Sequence, residues 1–319
     1  MKFCLISAGV SDRHSIHNWA AVLNGKSFDG VLFDLGEYGL DYDYFDHFDL
    51  VMVALRKELI ESGIKVKQKS KAKVVVFLDG EIDHFTTHTP RYLQAKMVNL
   101  LNIVDAVAVL HDQSIPLFKS LTNRPVGVVG LPFPFESAGK LCPPVRKDKQ
   151  IEIGSRIGAS LLQNRNALVN LSVLAQIGMP GVIDLSDPVE MEYIQSIREY
   201  LPGLQIKFRD NKSGWDDYIA RANYSLLGLQ LDYSFDWGRF PLECAALRMP
   251  CVAPPSLYTQ KFLFPGLCVA HHDIAGAVAL VNKLVSNFWF YMETVAYARS
   301  QMEFFSPDQC KMRLFNLIS

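Results

Sequence analysis

The feature that most limits what this chain can become is an alternation of short apolar runs with longer amphipathic segments, repeated in two series. In the first series the runs fall at 3–7, 30–34, 50–54, 74–78, 106–110 and 126–129, with helical spacing at 16–23, 56–62 and 90–102. Short buried strands joined by helix-length connections predict βα units around a parallel sheet, since parallel neighbours need a long crossover. The stretch "GKLCPPVRKDKQ" at 139–150 then breaks the pattern with glycine, two prolines and basic residues, as a linker does. A second series follows, with strands expected at 151–154, 181–185, 204–208, 224–229, 250–253 and 267–270. Its helices are expected at 165–177, 188–200, 214–222, 241–248 and 274–285. From about residue 287 a long helical pattern leads to a helix start at Ser306, Pro307 and Asp308. The expected class is α/β, with two Rossmann-like doubly wound domains facing across a cleft, where such pairs bind their ligand.

Composition narrows the function. With 319 residues, 49% hydrophobic and 20% charged, the chain can bury two cores. A net charge of −1 gives no overall attraction to nucleic acid or an anionic membrane. Six cysteines without a CxxC pair read as reduced thiols in a cytoplasmic protein. The opening "MKFCLISAGVSDRHS" is too short in its apolar part for a secretory signal and reads as a first buried strand. No apolar stretch is long enough for a membrane span. The lysine run Lys65, Lys67, Lys69, Lys71 and Lys73 reads as a solvated loop, with weak contact to an anionic surface as the other reading. The acidic-aromatic "EYGLDYDYFDHFD" also reads as surface.

One stretch carries chemistry: "SFDWGRFPLECAALRMPCVAPP" at 234–255. Glu243 is expected in the first turn of a helix, where the macrodipole favours a carboxylate by about 0.3–1 kcal/mol. Position alone reads it as a cap, although an ionised carboxylate there can also accept two hydrogen bonds from hydroxyls. Gly238 permits close backbone approach, and Arg239 lies in the same loop. The segment "FLDGEIDHFTTHTPRY" leaves the fourth strand dense in titratable groups, with Asp79 and His84 as candidates. His84 and His88 stand at helical ligand spacing, but the surrounding threonines and proline argue for a loop, and no metal site is expected.

The order of features from 151 to 319 resembles the C-terminal half of retaining nucleotide-sugar glycosyltransferases of the GT-B fold. "IEIGSRIGASLLQNRNALVNLSVLAQIG" supplies Arg156 and Arg165, and "WDDYIARANYSLLGLQLDYS" is similar to the segment that leads to the family's donor loop. Gly238, Pro241, Leu242, Glu243, Pro250 and Val252 match the family's pattern there, with Trp237 as its aromatic. The tail "FSPDQCKMRLFNLIS" resembles the family's closing helix. In the first half the resemblance rests on strand order, on the Gly9 turn and on "NRPVGVVGLPFPFE". The first glutamate of the family's Glu-x7-Glu pair falls on Phe235, with Asp236 the nearest acid.

This resemblance implies an acceptor-side domain at 1–140, a donor domain at 141–290 and helices crossing back at 291–319. It implies transfer of a sugar from a nucleotide-diphosphate donor to an acceptor hydroxyl, with retention and without metal or other cofactor. Gly9, Arg156, Arg165, Gly238, Arg239 and Glu243 would bind the donor, and Asp79, His84 and Asp236 would serve the reaction. The acceptor could be a glycan, a lipid-linked glycan, a protein or a modified nucleobase. The alternatives are a non-catalytic nucleotide-sugar-binding protein of the same fold, or an epimerase on this scaffold, for which no base is evident.

Overall fold

The computed structural model describes residues 1–9, 15–78, 80, 86, 89–142, 145–154, 167–185, 188–210, 214–232 and 235–319. The chain forms two compact units, one of Met1–Pro134, Phe235–Trp237 and Phe304–Ser319, the other of Phe135–Ser234 and Gly238–Glu303.

In the first unit β1 (Phe3–Ser7), β2 (Lys26–Asp29), β3 (Leu50–Ala54), β4 (Lys73–Phe77), β5 (Ala106–Val109) and β6 (Val126–Val128) form one sheet. Their order is β2-β1-β3-β4-β5-β6 and every pairing is parallel. Runs such as Leu-Val-Met-Val-Ala are buried at every position because helices cover both faces of such a sheet. The order reverses between β1 and β3, and ligand crevices lie outside the carboxyl ends of strands at such a point.

Three expectations are corrected here. The run 30–34 is a helix, Gly30–Asp34, and the strand precedes it as β2. Five apolar residues do not reveal their period. The Asp29 carboxylate decides it by accepting the Val31 N–H at 2.9 Å and the Leu32 N–H at 3.2 Å. The lysine run is not a loop, since its first half ends the helix Ile60–Lys69. Lys65 pairs with Asp34 and Lys67 with Asp105, each at 2.7 Å. The acidic-aromatic segment carries a short 3₁₀ helix, Tyr42–His47, and its Phe45 is fully buried beside Phe28, Phe33 and Phe48.

In the second unit β7 (Asp148–Ile153), β8 (Gly181–Leu185), β9 (Ile206–Asp210), β10 (Ser225–Leu229) and β11 (Cys251–Val252) are ordered β11-β10-β7-β8-β9, again parallel. Here the reversal lies between β7 and β10. The run 267–270 forms no strand, only a bridge between Ala253 and Cys268. Lys147, from the expected linker, donates to the carbonyls of Asn223 and, at 2.9 Å, Leu247, so it closes the carboxyl ends of two helices.

The helix Phe288–Gln301 belongs to the second unit, and the helix Pro307–Ile318 to the first, against β5 and β6. Ser306 caps the latter by accepting the Gln309 N–H at 3.3 Å. No described helix is long and apolar enough to cross a membrane. All six cysteines are free thiols.

Candidate functional site

The second unit's reversal point is where β7 leads into Gly154 and β10 leads into Gln230–Asp232. The helix Arg239–Ala246 lies close to these strands because two glycines leave room for it. A Cβ on Gly154 would lie 2.3 Å from the Phe240 ring, and one on Gly228 would lie 2.6 Å from Cys244 Sγ. The helix starts at Gly238, whose φ of 79° and ψ of 73° is left-handed backbone. A Cβ there would also lie 2.8 Å from Thr259 Oγ1 and 2.9 Å from Leu257 Cβ. The Thr259 hydroxyl donates to the Gly238 carbonyl and fixes the turn from beneath.

Glu243 lies deeper in this helix than the sequence reading puts it. The helix begins at Arg239 rather than at 241, so Glu243 is one turn in and no acid occupies the first turn. The macrodipole fades over that distance, which leaves the capping role without support. Glu243 is 6% exposed and takes two hydrogen bonds on Oε1, from Trp215 Nε1 at 2.9 Å and Arg239 Nε at 2.8 Å. The Arg239 guanidinium lies 5.5 Å from the Trp215 ring centre, stacked as a cation over its face. A buried carboxylate needs such a partner, and Arg239 supplies it while its side chain stays one-third exposed. Oε2 of Glu243 takes no hydrogen bond from the described residues. The result is a preorganised acceptor beside a half-open cation, suited to a polyhydroxylated anion.

Beside this, β7, β8 and β9 carry a charge network that the sequence reading missed. Arg209 bridges Glu152 and Asp184, the latter at 2.7 Å, and Ser225 donates to the second oxygen of Glu152 at 2.8 Å. Glu152 is 1% exposed, and burial pushes its carboxyl up to about 7 despite Arg209. The signal was present as polar residues within strands otherwise read only for their apolar run.

In the first unit Gly9 follows β1 at that sheet's reversal point. Its φ is 81°, and a Cβ on it would meet nothing within 4 Å among the described residues. The Ser7 hydroxyl donates to its carbonyl at 3.0 Å. Asp236 Oδ1 accepts the N–H of Trp237 at 2.6 Å, and the buried Trp237 packs edge-on against Phe305 at 5.3 Å. Phe235 is 40% exposed and meets the ring of His111 at 5.7 Å. His111 is another residue the sequence reading missed. It lies just beyond β5, 1% exposed, and its Nδ1 accepts the Gln113 N–H at 3.1 Å. Its signal was a histidine ending an apolar strand. Asp79, His84, Arg156 and Arg165 lie outside the described residues.

No protein-family model and no curated protein matches the sequence. Solved structures do match. HepE of Anabaena, solved in complex with UDP, aligns with a TM-score of 0.75 at 13% identity, with 99% of each chain covered. Sucrose-phosphate synthase of Thermosynechococcus elongatus aligns at 0.78 and 12% identity, over 99% of this chain and 98% of the other. The α,α-trehalose 6-phosphate synthase of Burkholderia multivorans aligns at 0.70 and 10%, over 99% and 96%. The chain thus has the GT-B glycosyltransferase fold.

Proposed function

We propose that this chain is a glycosyltransferase that moves a sugar from a nucleotide-diphosphate donor to an acceptor hydroxyl, with retention and without a metal. The observation that carries the proposal is Glu243, buried and held through one oxygen by Trp215 and Arg239, at the reversal point of the second sheet. Its other oxygen is left to accept the two ribose hydroxyls, because a carboxylate oxygen has two lone pairs. The Gly238 turn brings backbone close to the donor's phosphate and sugar. Arg239, with Arg156 and Arg165, neutralises the diphosphate that departs as the glycosidic bond breaks, an interaction strongest when that charge has formed. In a retaining reaction the acceptor attacks from the face the diphosphate leaves, and a diphosphate oxygen takes its proton. The protein then has an oxocarbenium-like centre to stabilise. Gly9 lets the first unit's backbone approach the donor. Asp79, His84, Asp236 and His111 are the candidates for sugar and acceptor. HepE, of the same fold, is also solved in complex with UDP-glucose, which makes a uridine nucleotide the first donor to try.

A second reading has one observation in its favour. Phe235 is apolar at the family's acid position, as in a protein that binds a nucleotide sugar without turning it over.

A thermal-shift and hydrolysis screen of UDP-, GDP-, ADP- and TDP-sugars without metal separates the two. A donor at about 100 times its Kd stabilises the fold by about 2.7 kcal/mol. One stabilising sugar nucleotide that also releases its nucleoside diphosphate slowly supports the transferase. Stabilisation without release over days supports the binding protein, and a panel with no hit sinks both readings for these donors.

A further inference from the structure

At the amino-terminal end of the first sheet, away from the Gly9 turn, an open cavity of about 750 Å³ lies where β1 and β2 begin. β1 separates it from that turn by roughly 16 Å, at about 3.3 Å per residue. Three lysines reach it from separate parts of the chain: Lys2 before β1, Lys26 at the start of β2 and Lys311 on the last helix. Tyr44, Phe48 and Phe315 supply ring surface, and His47 stands beside them.

The charges are what make this more than a surface hollow. Elsewhere in the same unit Lys65, Lys67 and Lys96 each pair with a carboxylate. Among the described residues, no carboxylate pairs with Lys2, Lys26 or Lys311. Lys26 instead donates to the Tyr44 hydroxyl at 3.0 Å, and Lys311 lies 5.7 Å from the Phe315 ring centre. Asp49 nearby accepts the backbone N–H of Lys2 at 2.6 Å. Three lysines without a carboxylate partner among the described residues, around a cavity with aromatic lining, describe a receptor for a ring that bears an anionic group. The volume is that of a small-molecule site. A lipid surface fits poorly, because exposed Asp43, Asp46 and Asp49 flank the segment that supplies His47 and Phe48 and would face an anionic membrane.

We propose that this cavity binds a small aromatic phosphate or carboxylate, at a site separate from the donor site. Calorimetric titration of the whole chain with phenyl phosphate, benzoate, inorganic phosphate and phenol tests it, each with and without saturating UDP-glucose. One of the two ring anions binds saturably whether or not UDP-glucose is present, and the tighter one assigns the anionic group. Inorganic phosphate and phenol each bind at least about tenfold more weakly, since each lacks one half of the recognition. The double variant Lys26→Ala/Lys311→Ala loses at least about tenfold affinity for the ring anion while its thermal stability and UDP-glucose response stay as in the parent. Absence of saturable binding of both ring anions at about 1 mM overturns the proposal, as does full affinity in the double variant. Retention by phosphatidylserine–phosphatidylcholine vesicles that the double variant loses, without ring-anion binding, overturns it in favour of a membrane. A missing UDP-glucose response alone counts against the proposed donor and leaves this site standing.

Discussion

At the residue scale, Glu243 and two of the left-handed glycines, Gly238 and Gly9, make the sharpest tests. Replacing Glu243 by alanine removes the acceptor proposed for the ribose. Donor affinity should fall about tenfold or more, the scale of a lost hydrogen bond to a charged group. Unchanged affinity measured by calorimetry, with the fold intact, would reduce Glu243 to an anchor for Arg239 and Trp215. Gly238 and Gly9 share a φ near 80° but differ in surroundings. At Gly238 an alanine meets backbone strain and also Thr259 and Leu257, and should destabilise by about 2–3 kcal/mol or more in urea unfolding. At Gly9 an alanine meets the strain but no contact among the described residues, so the cost should be nearer about 1–2 kcal/mol, with loss of donor binding as the larger effect. Equal costs at both would mean that the contacts beneath Gly238 contribute nothing.

At the element scale the Glu152–Arg209–Asp184 network makes stability depend on pH. Glu152 binds its proton more tightly in the folded chain, at about 7, than at its ordinary 4.5. Its contribution is therefore fully present below about pH 4.5 and is lost as pH rises through about 7. Glu152→Gln should flatten that part of the decline, while Arg209 keeps Asp184 as a partner. Urea unfolding of parent and variant at both ends of this window checks it, and parallel pH profiles would show that Glu152 does not titrate there. The same elements show what the sequence discloses. Continuous apolar runs such as 50–54, 74–78 and 106–110 were legible as strands because burial on both faces leaves no polar position to confuse the period. The run 30–34 was misread because a capping carboxylate, not periodicity, chose its structure. The network on β7, β8 and β9 was hidden, since partners from three strands meet only after the crossovers are made. Glu243 and Arg239 were singled out from the sequence, but that Arg239 and Trp215 hold the Glu243 carboxylate was not legible.

At the scale of the whole molecule, the last segment of the chain is a helix that packs on the first sheet. Leu314 and Phe305 are fully buried in a unit whose other members are mostly residues 1–134, and Arg313 Nε donates to the Val129 carbonyl at 3.2 Å. Lys73, at the start of β4, donates to the Ile318 carbonyl at 2.7 Å, 245 residues away in sequence. Periodicity can announce a helix at 307–318, but it cannot say which sheet that helix covers. The physical consequence is that a core substitution near the carboxyl end should loosen the amino-terminal sheet. Leu314→Ala removes a fully buried side chain, and such truncations cost about 2–5 kcal/mol. Hydrogen exchange at β5 and β6, which the helix packs against, should therefore accelerate by more than about tenfold. Exchange at β8 and β9, in the other unit, should keep its parental rate, because substitutions act independently where no contacts are shared. Equal acceleration in both sheets would mean that the two units open together as one cooperative body, with Leu314 contributing to both.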